Sequence, residues 1–352
     1  MKKILTISLV LALALTILMV GLVACEPNPE EEPTETLEKV KVVDFDGEVE
    51  SVVSPKRVAI YDYGILDILH NVGFENTGIE QLIVPGKDTL PVDLAWYKEQ
   101  PDEKVVSGGS LFYVDVDVLD IVNPQLVILG GRAFGMNKAG ERLGTEAAAE
   151  FKKSTLERYA DATFLKLTVN STNASLTKDI KKNVTALGLI FPNLKEKLDA
   201  KLAEITVGIE EIHEKAFSSQ KTALFCMMVS AEQLSVFSPN SRFDSLYEDF
   251  GFRPVQETYA DYTSQHGNAV SHEYVLDQNP DVIFVLDRSA TVGTGAGYQN
   301  FLDNATIKAT DAYKSENIYV LTGEAWYTMT GGFTATTRMI SDINQFLNKQ
   351  AA

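Results

Sequence analysis

The stretch "NPDVIFVLDR", Asn279 to Arg288, runs an unbroken apolar segment into an Asp and an Arg, and "NPQLVILGGR", Asn123 to Arg132, carries the same pattern earlier in the chain. Such a run, bounded by turn residues, predicts a central parallel strand covered on both faces. The Asn-Pro before it ends the preceding helix. Aligned without gaps, the likeness extends back to Asp117 and Glu273, and "VLDIVNP" matches "YVLDQNP" in helix-then-turn character. Two related α/β lobes follow from this repeat. In open α/β sheets ligands bind beyond the carboxyl ends of the strands, so Arg132 and Arg288 are each expected at the mouth of a sheet, and facing lobes would bring both to one cleft. A single arginine after a strand reads as an ordinary surface residue; the matched pair favours the cleft.

From Val40 the chain alternates strand and helix. "RVAIYD" (Arg57 to Asp62) reads as a strand, "YGILDILHNVGF" (Tyr63 to Phe74) as an amphipathic helix ending near Gly73, and "TFLKLTV" (Thr163 to Val169) closes the first lobe. After Pro192, which suits a helix's first turn, "NLKEKLDAKLAEITVGIEEIHEKAF" predicts about 25 helical residues, roughly 38 Å at 1.5 Å per residue. The second lobe begins at "KTALFCMMVS". The expected fold class is therefore α/β: two doubly wound lobes joined by a long helical connector, with the first lobe over 41–168, the connector over 169–218 and the second lobe over 219–352. A continuous helical connector limits the lobes to small rocking, where several flexible strands would allow a hinge.

The N-terminus, "MKKILTISLVLALALTILMVGLVAC", has the basic start and apolar core of a secretory signal. A membrane-spanning helix is the alternative, because the apolar run is nearly long enough. The acidic, proline-bearing stretch that follows, 25–40, cannot bury a core and is expected to be a solvated tether. Cys226, in the apolar "TALFCMMV", is the only cysteine besides Cys25, and it reads as a buried strand residue. The formal charge of −18 argues against nucleic acid as a partner. There is no Gly-x-Ser-x-Gly elbow and no His-Glu-x-x-His, so nothing points to an enzyme. The Gly-rich "TVGTGAGYQN" lacks the placement of a dinucleotide fingerprint and reads as a mobile rim of the second lobe. His70 and His213 fall within helices, and His272 is expected at the start of an outer helix.

The end of the signal, "LVAC", resembles the bacterial lipobox, and "ILGGR", "SVFSPNSRF", "TSQHGN", "VIFVLDR" and "AWYTMTGGFT" occur in the order seen in siderophore-binding lipoproteins of iron-uptake ABC transporters. Within that group the chain most resembles the ferric-catecholate members, which include petrobactin- and enterobactin-binding proteins; the likeness covers nearly all of the chain after Val40. The resemblance implies the class III periplasmic-binding-protein architecture, cleavage of a signal peptide over 1–24 and lipid on Cys25. It also implies an anion-binding set of Arg132, Arg242 and Arg288. Arginine suits a ferric catecholate, a net anion with exposed oxygens, because its guanidinium stays charged and presents a rigid fork of donors. Read alone, Arg242 could equally be a salt-bridge partner of Asp244.

By the same resemblance His266 and Tyr327 bind iron directly, with Trp326 beside them at the ligand. A tetradentate bis-catecholate leaves two of iron's six sites open, and a phenolate oxygen suits a hard cation; a hexadentate ligand would leave none. Read alone, His266 is a hydrogen-bonded loop histidine and Tyr327 an aromatic lining. Asp117 and Glu273 are expected to dock onto arginines of a permease dimer, one acid per lobe; helix capping is the other reading of both. The expected function is capture of a ferric catecholate siderophore and delivery to the permease and its ATPase, by a membrane-anchored monomer with no permanently bound cofactor. A haem- or corrinoid-binding lipoprotein of the same architecture is the alternative, and would need a macrocycle-sized apolar slot.

Overall fold

The computed structural model describes residues 38–169, 175–256, 267–295 and 297–351. The expected signal segment, Cys25 and His266 lie outside these residues. A hairpin comes first, β1 (Lys39–Val43) paired antiparallel with β2 (Glu48–Val52), so strand structure begins at Lys39, inside the segment read as tether.

The first lobe follows as β3 (Arg57–Tyr61), α1 (Tyr63–Asn71), β4 (Gln81–Val84), β5 (Val105–Ser107), α2 (Val116–Val122), β6 (Leu126–Leu129), α3 (Thr145–Arg158) and β7 (Thr163–Lys166). Its sheet runs β5-β4-β3-β6-β7, parallel throughout. The connector is α4 (Leu176–Ile190) and the 25-residue α5 (Lys195–Ser219), separated by a turn that starts at Pro192. Buried Leu198, Ile205, Ile209, Ile212 and Ala216 recur at helical spacing along one stripe of α5.

The second lobe comprises β8 (Thr222–Met228), β9 (Leu234–Phe237), β10 (Asn268–Val270), α6 (His272–Gln278), β11 (Val282–Asp287) and β12 (Ile318–Val320), ordered β10-β9-β8-β11-β12. Strands β8, β11 and β12 are parallel, but β9 and β10 return as an antiparallel meander. The segment between β8 and β9 is too short for a crossover, which needs a dozen or more residues. This half of the sheet is therefore mixed, since the short strand Arg253–Pro254 also pairs with the start of β8 in parallel, and such antiparallel edges occur on doubly wound sheets.

The sequence repeat corresponds to a repeat in the backbone. Asn123 and Asn279 both adopt left-handed backbone, φ 48° and 41°, and end α2 and α6 by donating their amides to Leu119 and Val275. Asparagine tolerates this conformation, and the following proline stops the helix. Two residues on, Gln125 Oε1 accepts the amides of Lys56 and Arg57 at 2.7 and 3.1 Å, and Asp281 Oδ2 accepts that of Thr222 at 2.9 Å. Each clamp fixes the start of the neighbouring strand, and the registers agree: Val58 faces Leu126 as Ala223 faces Val282. In both sheets the strand order reverses beside these pairs, between β3 and β6 and between β8 and β11. The two reversal points are where ligands of open α/β sheets bind.

The last helix, α7 (Phe333–Ala351), falls within the range expected for the second lobe, yet it packs against α5 and against α1 of the first. Asp67 of α1, fully buried, accepts the Thr334 amide at 2.8 Å and caps the start of α7.

Candidate functional site

Beyond the two reversal points lies a cavity of about 980 Å³, large for a small-molecule site, lined by both lobes. The turns after the central strands supply its charged residues: Asp62 after β3, Arg132 after β6 and Arg288 after β11. Gly130 lets the β6 turn pass close to β3, since a Cβ there would stand 2.5 Å from Asp62 Oδ2. Arg242 arrives from the turn after β9. That turn is closed by Asp244, whose Oδ1 accepts the Asn240 amide at 3.0 Å, and Arg242 points away from Asp244 into the cavity. No Arg242–Asp244 ion pair forms.

All three arginines converge on Tyr327. Arg132 Nη2 and Arg242 Nη2 donate to its carbonyl oxygen, the latter at 3.2 Å, and Arg288 Nε donates to its phenol oxygen at 3.0 Å. Their guanidinium carbons stand 5.0, 4.3 and 5.6 Å from the Tyr327 ring centroid, within cation–π range. Burial lowers the pKa of Arg132 and brings Arg242 down to about 10, the other guanidinium groups adding to the effect; both stay charged at neutral pH. Burial pushes the Tyr327 phenol up, but Arg242, Arg288 and Arg132 together outweigh it and the net direction is down. Among the described residues Asp62 is the one carboxylate lining the cavity; burial lifts it to about 6 against the pull of the Ile65 amide and Arg132.

Tyr327 is carried by a π-helical turn, Glu324–Thr328. Asp342 of α7 anchors that turn by accepting the Thr322 amide at 2.8 Å and the Trp326 indole N–H at 2.9 Å. Trp326 borders the cavity but is fully buried between Phe225 and Phe250. Its one polar atom is engaged, so it braces Tyr327 and offers the cavity no donor.

Two lobes with facing reversal points, bridged by long helices over a charged cleft, are the layout of an extracytoplasmic binding protein, and the sequence profile described as periplasmic binding protein matches residues 58–325. The chain belongs to this family. It is 28% identical over 298 residues to the petrobactin-binding protein YclQ of Bacillus subtilis, covering 84% of each chain. The crystal structure of YclQ aligns with a TM-score of 0.73, covering 88% of this chain and 99% of that one. The structure of the periplasmic catecholate-siderophore binding protein VctP of Vibrio cholerae aligns equally well, TM-score 0.73 at 27% identity, over 88% and 100% of the two chains. Among the described residues no helix is long and apolar enough to cross a membrane.

The other residues singled out in this binding protein fall as follows. Asp117 and Glu273 are both the second residue of their helices, but the capping side chains are Asp115 and Ser271. Asp117 is exposed and paired to Lys138 at 2.7 Å, which lowers its pKa; Glu273 is held low by its own backbone amide and the Ser271 hydroxyl. His272 is the first residue of α6, and His213 meets the Asp249 carbonyl from α5. Cys226 is a free, buried residue of β8. The Gly-rich segment after Arg288 is tied down at its far end: Asp287 Oδ2 accepts the amides of Gly297 and Tyr298 at 2.8 and 2.9 Å. Sequence reasoning passed over Asp62, Phe112, Met136 and Arg142, all of which line the cavity. Asp62 had one usable signal, its place at the end of "RVAIYD"; the others lie in loops without a pattern.

Proposed function

We propose that this binding protein captures a ferric catecholate siderophore and hands it to an ABC permease dimer, without catalytic turnover. The convergence of Arg132, Arg242 and Arg288 on Tyr327 carries this reading. Three guanidinium groups in a body of formal charge −18 make a local positive site, suited to an anionic, oxygen-rich chelate by charge-assisted hydrogen bonds. YclQ is named for petrobactin and VctP for catecholate siderophores, which agrees with that chemistry. Tyr327, with its phenol drawn toward the phenolate, is the protein's oxygen ligand to ferric iron, and His266 supplies the second; together they fill the two sites a bis-catecholate leaves open. Iron arrives and leaves with its chelator. Lipid on Cys25 holds the monomer at the membrane, and Asp117 and Glu273 meet the permease.

Titration of the purified protein with a ferric bis-catecholate tests the reading. Arg132→Ala and Arg288→Ala should each weaken binding by about 1.5–3 kcal/mol, the range for hydrogen bonds to charged groups. Tyr327→Phe should shift the charge-transfer band of the bound bis-catecholate and leave a ferric tris-catecholate nearly unaffected. Wild-type affinity in both arginine variants would remove the cleft from this account, and tight haem binding in place of the chelate would favour the macrocycle reading.

A further inference from the structure

The cavity wall carries a fourth arginine that the site so far leaves unused. Arg142 lines the cavity from the first lobe, on the loop between β6 and α3. Every other arginine of the chain has an assigned partner. Arg132, Arg242 and Arg288 meet Tyr327, Arg57 the Asn123 carbonyl, Arg158 Asp120, Arg253 Gln220 and Arg338 Asp93. Of the eight arginines, Arg142 alone has a guanidinium with no hydrogen bond or ion pair to another described residue. It is exposed, and it is not one of the guanidinium groups stacked on the Tyr327 ring.

The loop that holds Arg142 is built rather than loose. Met136 and Arg142 form a β-bridge, the Met136 amide donates to the Phe112 carbonyl at 2.9 Å, and the Leu143 amide donates to Gly135 at 3.0 Å. The tip is closed by Asn137, whose Oδ1 accepts the amides of Ala139 and Glu141 at 3.0 and 2.9 Å. Asn137 Nδ2 also donates to Glu141 Oε2 at 2.8 Å, so the carboxylate next to Arg142 in sequence is occupied elsewhere. Lys138 is held on the outer side by Asp117. A hairpin fixed at its base and tip therefore presents to the cavity one guanidinium with no partner among the described residues, in a protein where acids outnumber bases 49 to 31.

Resting on the proposed function, we infer that Arg142 is a specificity-determining contact: it recognises a carboxylate carried on the siderophore's scaffold, apart from the iron-bound catecholates. The three inner arginines answer the charge of the iron centre. A fourth on the rim answers a second anionic group at a distance from it, and a fork of parallel N–H donors matches a carboxylate in geometry as well as charge. The ligand class is thereby narrowed from ferric catecholates in general to those bearing an additional acidic group.

The test compares two ferric bis-catecholates that differ only in the linker, one uncharged and one carrying a single carboxylate, by equilibrium dialysis against the full chain. Wild type should prefer the carboxylate-bearing complex by about fivefold at low salt, the scale of a partly exposed ion pair, with the preference shrinking as salt is added. Arg142→Ala and Arg142→Gln should bring the ratio to about one while binding of the uncharged complex stays within about twofold of wild type; Arg142→Lys should retain part of the preference. A wild-type ratio near one, or a ratio unchanged in Arg142→Ala, overturns the inference and leaves the proposed function standing. If wild type binds neither complex, the proposed function itself fails and this inference falls with it.

Discussion

Tyr327 solves a problem that its neighbours create, since three guanidinium groups sharing one cleft floor repel one another unless something negative stands between them. Its carbonyl, phenol oxygen and ring face do this in the structure described, and an anionic ligand would do it more strongly. Asp62 works against the ligand. Its carboxyl, lifted to about 6 by burial, is charged at neutral pH and opposes an incoming anion; below 6 it is neutral and the guanidinium charge is uncompensated. Asp62→Asn should therefore bind a ferric bis-catecholate about fivefold more tightly than wild type near pH 7.5, with the two proteins converging near pH 5.5. Comparing the two proteins at each pH cancels the ligand's own protonation. Weaker binding by the variant at both pH values would mean that Asp62 acts chiefly by holding Arg132. The same shift has a folding consequence of known sign. The folded state keeps a proton that the unfolded chain, near 3.8, has released, so this group's contribution favours folding at low pH and is lost as pH rises through about 6. The arginines were legible because they recur at equivalent strand ends. Asp62 was not, because the corresponding strand position of the second lobe is Met227, and a repeat reveals only what both copies share.

At the scale of elements, local signals are legible in the sequence and long-range partners are not. The two Asn-Pro helix ends, the 25-residue α5 and the buried central strands all follow from chemistry within a few residues of one another. Helix α1 was different. Its sequence reads as amphipathic, yet Tyr63 through Leu69 are all buried, Asp67 among them. The covering element is α7, and Asp67 is buried because it caps that helix, accepting the amides of Thr334 at 2.8 Å and Ala335 at 3.3 Å. Nothing near Asp67 in sequence announces a partner so far along the chain. Asp67→Ala leaves those amides without an acceptor in a buried setting. Stability, read from the urea midpoint, should fall by about 2 kcal/mol, and Asp67→Asn, which keeps an acceptor oxygen, should lose less. Equal losses in the two variants would show that charge or packing, and not the cap, is what Asp67 contributes.

For the whole molecule, the pseudo-repeat has a consequence outside the ligand cleft. The lobes share their central pairing register and helix ends, while the meander of β9 and β10 has no counterpart in the first lobe and left no mark in the repeat. Asp117 and Glu273 belong to the shared part, each the second residue of a helix whose cap is another side chain, Asp115 or Ser271. Capping therefore does not require an acid at either place, although the helix dipole favours one. On the proposed docking, a permease dimer with two-fold symmetry would present the same cation twice, and two lobes built alike can answer it twice. The Lys138 pair does not prevent this at Asp117, because an exposed ion pair is weak and exchanges readily for a partner's arginine. Glu273 has no ion pair among the described residues, and its hydrogen bonds, chiefly to its own amide and the Ser271 hydroxyl, are local on an exposed side chain. Asp117→Ala combined with Glu273→Ala should leave siderophore affinity unchanged in vitro and reduce uptake of the iron complex by cells at matched expression. Each single change should have a smaller effect, since one lobe would still engage. Normal uptake by the double variant would exclude these acids from docking, and a marked drop in its thermal stability, with uptake falling only in proportion to folded protein, would return both residues to a purely helical role.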